Sequence, residues 1–189
     1  MLDIMPVNEE DVVFLRIIQE IILHNQLNKK DKQEKIRYKM DKTDKIILNA
    51  LQKDAKQNMK VLADELNLSK SPLYDRVKRL ESDGYISHYA AIVNKDKIGK
   101  PLVVFCRLAL LVHEHENYAR FVNEIVQLEE VVECYSIGGE YELLIKIVLE
   151  DLDAYDKFRF EKLTRINGIA KINSSITIRE LKNTTYIKL

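Results

Sequence analysis

The stretch between residues 59 and 84 constrains this chain most. Two short apolar-striped segments, 59–66 and 69–82, meet at Asn67 with no room between them for a loop. Leu73, Val77 and Leu80 recur at i, i+4 and i+7, which is one face of a helix. Asn is the residue after glycine that best tolerates the left-handed backbone of a sharp helix-to-helix turn. Ser69 is placed to cap the second of these helices, Pro72 falls in its first turn, and Asp83-Gly84 ends it. Ala63 is small where the helices must cross, against Leu73 or Val77. An earlier helix, capped by Asp41 or Thr43 and ending near Asp54, offers Ile46, Ile47, Leu48 and Leu51 to a shared core, while Val61, Leu62 and Leu66 face inward from 59–66. Three helices in this order, with this turn, form a helix-turn-helix pattern.

With Leu73, Val77 and Leu80 inward, the spacing turns Ser71, Tyr74, Asp75, Lys78, Arg79 and Ser82 outward, with Lys70 and Arg76 flanking that face. Hydroxyls and a lysine at a helix N-terminus suit phosphate contact, and mid-helix Tyr74, Asp75 and Lys78 suit base edges. The expected DNA-binding set is therefore Ser69, Lys70, Ser71, Tyr74, Asp75, Arg76, Lys78 and Arg79. Asp75 repels phosphate unless it accepts from a cytosine amine or pairs with Arg79 at i+4.

Charge follows the same division. The chain has 30 basic and 30 acidic side chains, but residues 40–100 carry 12 basic and 9 acidic, and 101–189 carry 11 and 14. A +3 segment before a −3 segment suggests one part for a polyanion and one for something else. Residues 1–39 balance at 7 and 7. They read as an apolar helix over 12–23 and a polar run to Lys39, and two expectations compete for them: an extension packed on the body, or a mis-assigned start with translation beginning at Met40. The acidic first residues and the lack of any apolar run of 18 or more lead to a cytoplasmic, membrane-free expectation. Cys106 and Cys134, each in an apolar run, are expected to pack as thiols.

Beyond Gly84 the β-rich run 85–93 reads as a linking strand. Strand patterns at 102–111, 131–137, 141–149 and 169–181 then alternate with helix patterns at 116–128 and from Asp151 to near Gly168. The first helix pattern offers Tyr118, Phe121, Val122, Ile125 and Val126, the second Leu152, Tyr155, Phe158 and Leu163. The order β-α-β-β-α-β predicts an antiparallel sheet with both helices on one side, the ferredoxin-like arrangement, within an α+β chain. Its other face is left uncovered, and a symmetric homodimer covers it. Expected boundaries are 40–101 for the DNA-binding domain and 102–189 for the second.

Leu68-Ser69-x-x-Pro72, then Val77-Lys78-Arg79-Leu80-Glu81-x-x-Gly84-Tyr85-Ile86, resembles the Lrp/AsnC (feast/famine) transcription regulators. Val132-Glu133-Cys134 and Gly139-Glu140-Tyr141-Glu142-Leu143-Leu144-Ile145-Lys146 strengthen the resemblance, which spans about residues 40–189. It implies a winged helix-turn-helix domain followed by a ferredoxin-like effector domain, no enzymatic activity and no cofactor. Implied partners are double-stranded DNA, an amino-acid effector held between subunits, and further copies of the chain, from dimer to octamer. The implied effector site is the turn Gly138, Gly139, Glu140, Tyr141 and Glu142, with Ser175 on the last strand. Both acids are Glu where the family usually has Asp, which alters the pocket; the plainer alternative is a hairpin turn and nothing more.

His113 and His115 share one strand face and could hold a metal, but between Glu114 and Glu116 they read better as a solvated turn. No phosphate-binding glycine loop or nucleophile elbow occurs. Two other functions fit the architecture. One is an enzyme resembling the siroheme decarboxylases, using His88, His113 or His115; the other is a nucleoid-organising protein with little sequence choice.

Overall fold

The computed structural model describes residues 39–111 and 118–189. The readings of residues 1–38, His113 and His115 lie outside the described residues. The chain divides into two compact units: residues up to Ala91 together with Asn183–Leu189, and Ile92–Lys182. The chain thus crosses between units twice, where one crossing at 101 was expected.

The first unit holds α1 (Lys42–Lys53), α2 (Met59–Glu65) and α3 (Lys70–Ser82). Asp41 caps α1 through a capping box: its Oδ1 accepts from Asp44 N–H at 2.8 Å and its own N–H donates to Asp44 Oδ2 at 2.9 Å. Ile47, Leu48, Leu51, Leu62, Ala63, Leu73, Val77 and Leu80 form one buried cluster. Ile46 and Val61, expected inward, are half-exposed. Each lies beside a residue that takes the core position, Ile47 and Leu62, so the buried stripe sits one residue further along. Asn67 has φ +52, as the tight turn requires. Leu68 N–H donates to Ala63 O and Asn67 N–H to Asp64 O, closing α2 with a Schellman turn. Gly84 (φ +74) ends α3 the same way, with Tyr85 N–H on Leu80 O and Gly84 N–H on Glu81 O.

Residues 87–93 form no strand, contrary to expectation. Their β-branched and aromatic content requires a ladder partner, and none lies among the described residues; Ile92 and Val93 are exposed. Tyr89 instead donates from its hydroxyl to Glu81 on α3 at 2.8 Å.

An extended segment lies along α1. Gln52 donates to Ile187 O at 2.9 Å and accepts from Ile187 N–H at 2.7 Å. Asn49 Oδ1 accepts from the Tyr186 hydroxyl at 3.0 Å and from Leu189 N–H at 3.3 Å. Two side-chain amides thus stand in for a neighbouring strand. Removing residues 183–189 is expected to destabilise this unit by about 1–2 kcal/mol, since these hydrogen bonds are solvent-exposed. Urea unfolding of the shortened chain checks this, and an unchanged midpoint would show that the segment only rests there.

The second unit is the βαββαβ fold: β1 (Leu102–Leu110), α4 (Tyr118–Val126), β2 (Val131–Ser136), β3 (Leu143–Leu149), α5 (Leu152–Glu161), a 3-10 turn (Leu163–Arg165) and β4 (Ile169–Ile176). The antiparallel sheet has the order β2-β3-β1-β4. Alternate residues Val104, Cys106, Leu108 and Leu110 on β1, and Leu143, Ile145, Ile147 and Leu149 on β3, pack with Phe121, Ile125, Tyr155 and Phe158 from the helices. Leu152 and Val126, expected in this core, lie outside it and are exposed. β4, paired among the described residues with β1, stops at Ile176: Thr177 N–H on Val103 O is the last rung, and the next would fall at Pro101, just before β1 begins, which has no N–H to donate. β3 starts at Leu143, since Ile137 N–H donates to Glu142 O and closes Tyr141 and Glu142 into the turn. Cys106 is buried within reach of the Tyr155 hydroxyl (3.6 Å) and Ser174 Oγ (3.4 Å), whereas Cys134 is only half-buried.

Candidate nucleic-acid interface and effector turn

α3 offers an outer face as the spacing predicts. Ser69, Lys70, Ser71, Tyr74, Asp75 and Lys78 are exposed, and Leu73, Val77 and Leu80 are buried beneath them. Ser69 occupies the N-cap with extended backbone, but its hydroxyl makes no capping bond, contrary to the expected cap.

Two basic residues are turned to internal work. Arg76 Nη1 lies 2.7 Å from Asp41 Oδ2 and 2.8 Å from Asp44 Oδ1. Arg79 Nη2 lies 3.9 Å from the same Asp44 oxygen. Asp44 is fully buried, the one charged residue so placed among the described residues. The Asp44 amide and the Arg76 guanidinium hold the Asp41 carboxyl below its usual range, and both carboxylates hold the Arg76 guanidinium in its charged form. Arg76 is thereby removed from the expected DNA face: a buried carboxylate requires a cation, and α3 supplies it to α1. Lys70 and Lys78 make no ion pair with any described residue, so α3 presents these two charges outward. Sequence spacing could not separate the two kinds of cation, because periodicity gives an angle around the helix and not the partner on α1.

In the second unit, the turn 138–142 lies at one end of the sheet's open face. Gly139 has φ +114, and a Cβ built there would meet nothing within 4 Å, so glycine is required for conformation and not for space. Glu142 serves the sheet. Its Oε2 accepts from Leu110 N–H at 2.9 Å, two residues past Leu108–Leu143, the last pair of β1 with β3. Glu140 pairs with Lys171. Tyr141 is buried under two cations, with Arg107 5.6 Å and Lys171 5.4 Å from its ring centroid. Ser175 is not brought to this turn. It pairs with Phe105, whereas Lys171 pairs with Ala109, four residues along β4 and about 13 Å away at strand spacing. Arg107 and Lys171 occupy the place expected for Ser175, and neither was singled out from sequence. Strand alternation puts both on the open face, but only the β1–β4 register puts them at the turn.

Residues 40–87 match the winged helix-turn-helix DNA-binding family and residues 103–187 the Lrp/AsnC ligand binding domain. The chain is 31% identical over 150 residues to the DNA-binding transcriptional activator DecR of Escherichia coli (strain K12), covering 79% of this chain and 99% of that one. It is 31% identical over 148 residues to the leucine-responsive regulatory protein of the same strain, covering 78% and 90%. An AsnC family transcriptional regulator from Agrobacterium tumefaciens superposes with a TM-score of 0.74 at 30% identity, covering 78% and 96%. A transcriptional regulator from Neisseria meningitidis, solved as its L-Met complex, superposes at 0.72 with 29% identity, covering 79% and 96%. With a helix-turn-helix unit that presents an exposed outer helix face, and a ligand-binding domain of matching topology, this chain belongs to the Lrp/AsnC family of DNA-binding transcription regulators.

Proposed function

We propose that this regulator recognises a specific duplex sequence by laying α3 in the major groove. Ser69, Lys70 and Ser71 hold phosphate, while Tyr74, Asp75 and Lys78 meet base edges. The observation that carries this reading is the division of labour on α3: Arg76 is bound to Asp41 and Asp44, while Lys70 and Lys78 stand exposed on the outer face with no ion pair to the described residues. A second part of the proposal is that two copies pack their open sheet faces together. Phe105, Tyr135, Leu144 and Val148 give that face an apolar centre, and the Lys146–Glu133 pair (2.9 Å) neutralises its polar side. The effector, in this reading, is an amino acid at the turn 138–142 in that interface, and it adjusts DNA binding; the chain catalyses no reaction.

Selection of bound duplexes from a random pool, at one fixed salt concentration, tests the first part. A recovered motif that binds roughly 10³-fold or more tighter than random duplex supports sequence-specific regulation. A ratio near one would favour the nucleoid-organising reading.

A further inference from the structure

We infer that Arg107 is the carboxylate-binding residue of the effector site, so that a carboxylate ligand tightens assembly of the chain. This inference rests on the proposal that a second copy covers the open sheet face. Arg107 stands on the central strand β1, between Leu144 of β3 and Asn173 of β4, neither of which carries charge. The other cations of this face have carboxylates: Lys171 has Glu140 and Lys146 has Glu133. Glu142 spends Oε2 on Leu110 N–H. Arg107 makes no ion pair with any described residue, and its charge is held only over the Tyr141 ring.

In the single chain, water solvates this guanidinium. A second copy laid over the face removes that water; the face's acids Glu133 and Glu140 already serve Lys146 and Lys171, and an unpaired charge in such a place opposes association. A ligand carboxylate removes the penalty. The guanidinium fork accepts a carboxylate through two parallel N–H···O bonds, and the Tyr141 ring fixes the guanidinium from its other side. Because the ligand is bound by the covered state, binding and assembly strengthen each other by the same factor. The chemical class is therefore a small carboxylate, and under the proposed function an amino acid recognised first through its carboxyl group.

The test is sedimentation of the full chain over a concentration series, as wild type, Arg107→Met and Arg107→Lys. It is run alone, with each standard L-amino acid singly, and with the carboxyl-less amine of whichever amino acid acts most strongly. Arg107→Met, which keeps the stem and removes the charge, is expected to assemble roughly tenfold tighter than wild type without ligand. It should also lose the amino-acid response, with Arg107→Lys between the two. The amine should leave the wild type unmoved. Weaker assembly of Arg107→Met, or a response it retains, would overturn the inference while leaving the amino-acid reading intact. A wild type that no amino acid shifts would remove that reading, and this inference with it.

Discussion

Asp44→Ala is expected to cost the first unit about 3 kcal/mol, at the lower end of what breaking a buried ion pair costs, because Arg76 keeps about a quarter of its side chain in water. The loss has two sources. Arg76 and Arg79 lose the buried oxygen they approach at 2.8 and 3.9 Å, and the Asp41 amide loses its acceptor at the start of α1. In a domain of this size the melting temperature should fall by roughly 10–20 °C. Calorimetry of the full chain measures it, and a shift within a degree or two would mean that the network is ornamental. The charge itself is not the stabilising element. Asp44→Leu with Arg76→Met removes both partners, so the double variant should lose clearly less than the sum of the singles.

The same network fixes a direction with pH. Asp41 titrates lower in the folded chain than its unfolded value of about 4. Its contribution is therefore complete above the unfolded value and is lost as pH falls through the folded one. Acid below about pH 4 should loosen the start of α1, where the Asp41 carboxylate receives both the Asp44 amide and Arg76.

What sequence could read, and what it could not, follows from how far each interaction reaches along the chain. Asn67, Gly84 and the Leu73/Val77/Leu80 stripe were legible because a turn and a helix face are decided within a few residues. Asp44 was not. An acid in the first turn of a helix is expected on dipole grounds alone, and nothing local reveals that it is fully buried against a cation 32 residues away. The strand ends failed for a related reason. The pattern of 169–181 continues past Ile176, yet a strand lasts only as long as its neighbour, and β1 begins at Leu102. Arg107 lay on a strand whose alternation was read correctly. Its meaning depends on Leu144, Asn173 and Tyr141, which only the pairing of three strands and a turn brings beside it.

Lys70→Gln with Lys78→Gln should separate DNA binding from folding. Both side chains are exposed on α3 and make no ion pair with the described residues, so their removal should leave stability within about 0.5 kcal/mol. Binding should respond differently. If each lysine neutralises one phosphate and a dimer presents two heads, four contacts disappear at once. At about 1 kcal/mol each, affinity falls by roughly three orders of magnitude at moderate salt. The slope of log affinity against log salt should flatten by about 3–4, close to 0.9 per phosphate contact. The loss should be nearly uniform across duplexes if both lysines touch only phosphate; if Lys78 reads a base, discrimination at one position relaxes as well. Arg76→Met gives the opposite pattern, with a lowered melting temperature and an unchanged salt slope, because its guanidinium serves Asp41 and Asp44. Titration of a labelled duplex at several salt concentrations measures both. An unchanged slope for the double lysine variant would move the DNA surface off α3. A flattened slope for Arg76→Met would mean that its guanidinium leaves the two carboxylates when the helix meets DNA.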